Sequence, residues 1–173
     1  MMTEGKSSRK LPLRPKAAVV TVPHRLNRRI SMPKVLVIQG AGMNMRGKVQ
    51  VEIFGPNTLD QINEQIRGYG ESLGVDVKIV HSNIEGEVVN ALYDAWEEGY
   101  DACLINPAGY TTANGPLRGA IQQVPMPVIE VHASNPTARG TVSAVLPVSK
   151  GCVYGFGVYG YYLALEAVKH TAE

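Results

Sequence analysis

Apolar residues fall in short blocks separated by longer stretches in which they recur every three or four positions. The blocks are Lys34–Ile38, Val75–Val80, Tyr100–Ile105, Val128–His132 and Cys152–Tyr154. Runs this short and this rich in β-branched residues predict strands, and their near-continuous apolar character predicts burial on both faces, as in a parallel sheet. Leu59, Ile62, Ile66, Tyr69 and Leu73 keep helical spacing, with Asn57 or Thr58 as cap and Gly74 as stop. Val88, Leu92 and Trp96 fall roughly on one face of a second helix that begins in His81-Ser82-Asn83-Ile84-Glu85-Gly86. Pro116 suits the first turn of a third, running to Val124, and Tyr161–His170 is the last.

Strands that alternate with helices argue an α/β three-layer sandwich with right-handed crossovers. The expected sheet is five-stranded and parallel, in the flavodoxin-like order 2-1-3-4-5. The connection from Met43 to Gly55 is long for this architecture, and such loops commonly lie over a site. Gly40-Ala-Gly42 after the first strand invites a dinucleotide reading, which fails because the third glycine is misplaced and no acidic residue closes a second strand. The glycines of Gly155–Gly160 lack a following Lys-Ser/Thr, so they read as close helix–sheet packing and not as a phosphate loop. The Thr/Asn/Gly turn Asn106–Asn114 ends the third strand, where a doubly wound sheet binds its ligands.

Candidate chemistry concentrates in Pro127–Gly140, PVIEVHASNPTARG. Residues at i and i+2 of a strand share a face, so Glu130 and His132 project together where the fourth strand runs out. A carboxylate beside an imidazole fixes the ring tautomer and stabilises the imidazolium, which makes a proton donor. The polar turn that follows offers free backbone N–H groups and Arg139, the equipment for holding a small anion. His81, alone at a strand end, reads as a satisfied turn residue.

The 173 residues suit one domain with an ample core, 45% of them hydrophobic. Two cysteines, Cys103 and Cys152, sit in apolar settings and read as buried thiols of a reducing compartment, hence a cytoplasmic protein; no metal-ligand spacing joins them to a histidine. No apolar run approaches a membrane span. The net charge of +2 conceals an asymmetry, because residues 1–33 carry Lys6, Arg9, Lys10, Arg14, Lys16, Arg25, Arg28 and Arg29 against Glu4 alone. This segment is set apart from the domain of residues 34–173 as a basic leader or subunit-packing arm. A transit peptide is the other expectation for an Arg-rich, acid-poor leader. Ala17–Val22 could add as a strand to a neighbour's sheet. Nucleic-acid binding is disfavoured, since neither aromatic interleaving nor a nucleic-acid motif is present.

Over residues 34–170 the motifs KVLVIQGAGMN, FGPNTL, SNIEGE, INPAGYTT, VIEVHASN with Ala138-Arg139, and GFGVYGYYLALEA resemble the type II 3-dehydroquinate dehydratases. That resemblance implies a flavodoxin-like fold, neither cofactor nor metal, and a homo-oligomer, a trimer or a dodecamer of four trimers. It also implies anti elimination of water from a cyclic keto-acid, a tyrosine base removing the proton and a histidine protonating the leaving hydroxyl. His132 matches the general acid, Glu130 its orienting carboxylate, and Asn106 the residue that holds water and ligand. The backbone N–H groups of Ala133 and Ser134 match the carboxylate cradle, and Arg139 an arginine near the base. The base half departs from the family. Phe54 stands at the tyrosine position and Val49 at that of the arginine that would lower its pKa. Gly42 replaces an asparagine, Thr112 a ligand-binding histidine and Gly119 an aspartate at a subunit contact, and the short loop Gly140–Pro147 omits a substrate arginine. Tyr110 is the candidate replacement phenol within a site loop, with Tyr159 more remote; Asn44, Thr112 and Tyr110 complete the expected substrate-binding set.

Three functions follow. The first is a lyase on a small cyclic or keto carboxylate, with altered substrate or weak 3-dehydroquinate activity; a hydrolase using His132 and Asn106 to activate water is its variant. The second is a non-catalytic small-anion-binding oligomer. The third is binding of nucleic acid or of an acidic partner through residues 1–33.

Overall fold

The computed structural model describes residues 32–171. The leader, apart from Met32 and Pro33, lies outside the described residues, and so do the expectations placed on it. Five parallel strands form one sheet in the order β2-β1-β3-β4-β5, as expected. They are β1 (Lys34–Ala41), β2 (Asp76–His81), β3 (Ala102–Ala108), β4 (Val128–His132) and β5 (Gly151–Tyr154). The helices are α1 (Val51–Phe54), α2 (Leu59–Leu73), α3 (Glu85–Glu97), α4 (Pro116–Gln123) and α5 (Tyr159–Thr171).

Strand alternation divides the core into two layers. Leu36, Ile38, Cys103, Ile105 and Val128 face Val88, Leu92, Leu117 and Ile121 of α3 and α4. Val35, Val37, Ala102, Leu104, Ile129 and Val131 face Ile62 and Ile66 of α2 and Tyr161, Leu165 and Val168 of α5. Both faces of β1 and β3 are thereby dry, which is why these strands read as unbroken apolar runs. Thr58 caps α2 through a reciprocal pair: its hydroxyl accepts from the Gln61 N–H at 3.3 Å, and the Gln61 side chain accepts from the Thr58 N–H at 2.9 Å. Gly74, at φ 66°, ends that helix as its position suggests.

Several expectations need correction. Trp96 does not join the α3 core stripe: it is 47% exposed, and Ala95 takes the buried place. Cys152 is exposed and not buried, because β5 is an edge strand; Cys103, on central β3, is buried as expected. The connection Met43–Gly55 is not all loop, since it carries a 3-10 turn, Met43–Met45, and the short α1. β3 runs on through Asn106-Pro107-Ala108, residues expected in the turn, because Gln39 and Ala41 of β1 pair with Asn106 and Ala108 in register.

Candidate active site

The connections leaving β1 and β3 run to opposite faces of the sheet, so the chain diverges beyond their paired C-terminal ends and leaves a crevice at the switch point. Ala41 and Ala108 line it, joined where the Gly109 N–H donates to the Ala41 carbonyl at 2.9 Å. Gly40 permits this closeness, because a Cβ there would collide with the Pro107 carbonyl. Ala108 adopts φ 48°, a left-handed conformation that strains a non-glycine residue; the Thr111 hydroxyl, donating to the Ala108 carbonyl at 2.7 Å, helps hold it.

Two cavities occupy the crevice. The outer, about 430 Å³, is lined by Arg46, Val49, Phe54, Thr112, His132 and Arg139, among others. The inner, about 190 Å³, is lined by residues including Arg46, Phe54, Asn106, Ala133 and Tyr161. Arg46 and Phe54 belong to both.

His132 ends β4 and is 8% exposed, reaching the outer cavity from a buried seat. Its Nε2 lies 2.7 Å from Oε1 of the fully buried Glu130. Nδ1 is therefore the ring nitrogen free to exchange a proton. The Ser143 hydroxyl approaches both Glu130 oxygens, at 2.8 and 3.0 Å, while accepting from the Val145 and Leu146 N–H groups, each at 3.1 Å. Tyr154, the register partner of His132 on β5, packs edge-on against the imidazole at 4.9 Å between centroids. Burial first, and then the Glu130 charge, push the Tyr154 phenol well above its usual range, so it stays neutral beside the carboxylate.

Asn106 is oriented by a buried chain. Its Nδ2 donates to the Tyr161 hydroxyl at 3.1 Å, which donates to Gln39 Oε1 at 2.8 Å, and the Gln39 amide donates to Asn63 Oδ1 at 3.3 Å. This leaves Asn106 Oδ1 buried without a partner among the described residues and beside the inner cavity, where a ligand or water donor would satisfy it. Burial pushes the Tyr161 phenol up to about 12, against the opposing pull of its bonds to Asn106 and Gln39 and of the Arg46 charge. At neutral pH it is a hydrogen-bonding phenol and not a base. The N–H groups of Ala133 and Ser134 engage no acceptor among the described residues.

The Arg46 guanidinium carbon lies 3.5 Å from the centroid of the Phe54 ring, and that of Arg139 lies 5.6 Å from it. Arg139 also donates to the Asn135 carbonyl at 3.2 Å. No group of three or more His, Cys, Asp or Glu side chains able to hold a metal ion occurs among the described residues.

The structure thus brings Glu130, His132, Asn106, Ala133, Thr112 and Arg139 to one crevice and leaves others outside it. Tyr110 is buried in the α3/α4 layer, where its hydroxyl donates to the Ser82 carbonyl at 3.4 Å, so it supplies no phenol to the cleft. The turn that carries it, closed by the Tyr110 N–H on the Pro107 carbonyl at 2.9 Å, sends the ring into the core. Asn44 is exposed on the 3-10 turn, 3.5 Å from Asn83, and Ser134 lies beside the cavities without lining either. His81 behaves as the satisfied residue expected of it, its Nδ1 lying 2.8 Å from the Gln39 carbonyl. Arg46, Gln39, Ser143, Tyr154 and Tyr161 escaped the sequence reading as site residues. Gln39 alone left a signal, a polar side chain in an apolar strand.

Comparison with known proteins agrees with this fold. The family model described as Dehydroquinase class II matches residues 33–169. The 3-dehydroquinate dehydratase of Caldanaerobacter subterraneus subsp. tengcongensis is 44% identical over 145 residues, spanning 82% of this chain and 97% of the relative. That of Thermoanaerobacter pseudethanolicus is 42% identical over 141 residues, spanning 80% and 95%. Among solved structures, the type II dehydroquinase of Butyrivibrio crossotus matches with a TM-score of 0.76 at 30% identity, covering 80% of this chain and 98% of that one. A 3-dehydroquinate dehydratase-like protein from Bifidobacterium longum matches with a TM-score of 0.62 at 32% identity, covering 80% and 97%. The chain described here belongs to the class II dehydroquinase family.

Proposed function

We propose that the protein is a lyase that eliminates water from a small cyclic or keto carboxylate, and that it turns over 3-dehydroquinate weakly. The reading rests on one observation: the His132–Glu130 pair stands complete in the crevice while the ring at Phe54 carries no oxygen. Glu130, buried and held by Ser143, supports positive charge on the imidazole. His132 Nδ1 then gives its proton to the leaving hydroxyl as the carbon–oxygen bond breaks. The free N–H groups of Ala133 and Ser134 hold the substrate carboxylate, Asn106 Oδ1 accepts from a ligand hydroxyl or water, and Thr112 and Arg139 contact the substrate from the outer cavity.

The proton on the carbon beside the ketone is the difficulty. Tyr161 is the one phenol lining either cavity among the described residues, and burial keeps it protonated. Losing a positioned general base typically removes ~10²–10⁴ of rate. A substrate whose carbon acid is stronger than that of 3-dehydroquinate would pass this proton to solvent water in the outer cavity, while the hydroxyl leaves as water with the proton from His132.

Action as a homo-oligomer in the cytoplasm belongs to the same reading. The exposed Phe156 and Tyr159 are apolar surface suited to subunit packing, and light scattering of the purified protein tests it. To test the chemistry, the protein is offered a panel of hydroxy-keto acids with product enone followed by absorbance. Elimination from at least one member, abolished in His132→Ala, is the expected result; activity untouched by that substitution removes His132 from the mechanism.

A further inference from the structure

Among the described residues, arginines line the two cavities and no carboxylate does. Arg46 and Arg139 line the outer cavity, Arg46 lines the inner one, and no Asp or Glu of the described residues lines either. Glu130 is fully buried behind His132. Neither guanidinium has a carboxylate partner among the described residues: Arg46 reaches only Met43 Sδ, at 3.3 Å, and Arg139 only a backbone carbonyl. What holds Arg46 is the face of Phe54 at 3.5 Å, with the Arg139 guanidinium within 6 Å of the same ring. Burial, and to a lesser degree the Arg139 charge, lowers the Arg46 pKa despite the opposing influence of Tyr161. Two like charges gathered on one ring, in a partly desolvated crevice, are unfavourable until an anion joins them.

A carboxylate already has a seat elsewhere. The unengaged N–H groups follow β4 at Ala133 and Ser134, and Ala133 lines the inner cavity. The arginine pair is concentrated towards the outer cavity, which is the larger. A ligand that fills both places an anionic group at each.

We propose that Arg46 and Arg139, steadied by Phe54, form a clamp for a second acidic group, so that the substrate is a small dicarboxylate and not a monocarboxylate with a polyhydroxyl ring. This deepens the lyase reading and rests on it for the word substrate. The phenylalanine acquires a function under this proposal: a ring without a hydroxyl offers its face to a guanidinium and directs it at the ligand.

Binding separates this proposal from turnover. Calorimetric titration of the full chain at low ionic strength compares cyclohexanecarboxylate with cis-cyclohexane-1,3-dicarboxylate, two ligands that share a ring and differ by one carboxylate. The expected result is a Kd at least tenfold lower for the dicarboxylate, an advantage that shrinks as salt is added. Arg46→Met, which keeps the length of the stem, should bring the two Kd values within threefold, while Arg46→Lys retains part of the difference. Phe54→Leu, which leaves both charges in place, should also reduce the preference. Equal affinity in the unsubstituted protein, failure to bind the dicarboxylate at millimolar concentration, or a preference unchanged in Arg46→Met would each overturn the clamp. Loss of the lyase reading would look different: the preference would stand while no acid in the panel was dehydrated.

Discussion

Ser143 Oγ sits 2.8 and 3.0 Å from the two carboxylate oxygens of Glu130, so the acid that supports His132 is itself held by a hydroxyl 13 residues away in sequence. The Val145 and Leu146 N–H groups donate to the same Oγ, which fixes its lone pairs and leaves its proton for the carboxylate. A hydrogen bond to a charged group contributes about 1.5–3 kcal/mol. Ser143→Ala should therefore lower stability by about that amount, read as a shift in the denaturation midpoint. It should also reduce kcat on whichever acid is turned over, with little change in KM, because the ligand-facing groups remain. A rise in KM with kcat unchanged would place Ser143 in binding instead.

Tyr161 gives a pH-dependent signature. Its phenol titrates near 12 in the folded protein, against ~10 when unfolded. Between these values the unfolded chain has lost a proton that the folded chain keeps, so stability falls as pH rises through about 10 to 12. The full effect is on the order of 3 kcal/mol. In Tyr161→Phe the alkaline loss should be shallower, as measured by urea unfolding across that window, while an unchanged slope would assign the loss to other groups.

The cysteines should differ in reactivity. Burial pushes the Cys103 thiol far above its usual range, while Cys152 is exposed on the edge strand. The thiolate is the reactive form. The native protein should thus take up one equivalent of an aromatic disulfide reagent quickly at pH 8, and the second only in denaturant. Rapid reaction of two thiols, or labelling that survives Cys152→Ser, would contradict this.

Gly40 lets the backbone of β1 approach that of β3 closely at the crevice floor. A Cβ there would drive into the Pro107 carbonyl, and backbone cannot give way as a flexible side chain can. Gly40→Ala should cost upwards of ~1–3 kcal/mol and disturb ligand binding, checked by thermal unfolding and by titration with the dicarboxylate. A variant of native stability would mean that β1 and β3 part more easily than their register suggests.

The legible part of this molecule was its local pattern. The boundaries of β4 and the order of the whole sheet were expected correctly, because runs buried on both faces and helical stripes are written in neighbouring residues. Glu130 and His132 were legible for the same reason, being two positions apart on one strand. What stayed hidden depends on distance along the chain. Tyr161 reaches Gln39 across 122 positions, and no pattern within α5 distinguishes its hydroxyl from a solvent-facing one. Arg46 read as part of a loop, and only the return of α1 sets Phe54 beneath its guanidinium. Tyr110 misled because a turn beside a site can send a ring into the core as readily as into the cleft.

In the function proposed above, the proton-giving half of the machinery is intact and the proton-taking half is absent. The most direct test is the rate of enone formation from 3-dehydroquinate, run beside the Caldanaerobacter 3-dehydroquinate dehydratase under identical conditions. The expected kcat is at least ~10²-fold below that relative, with the residual rate abolished in His132→Ala. A rate within tenfold of the relative would contradict it, because Phe54 could then not be standing where a necessary base once stood.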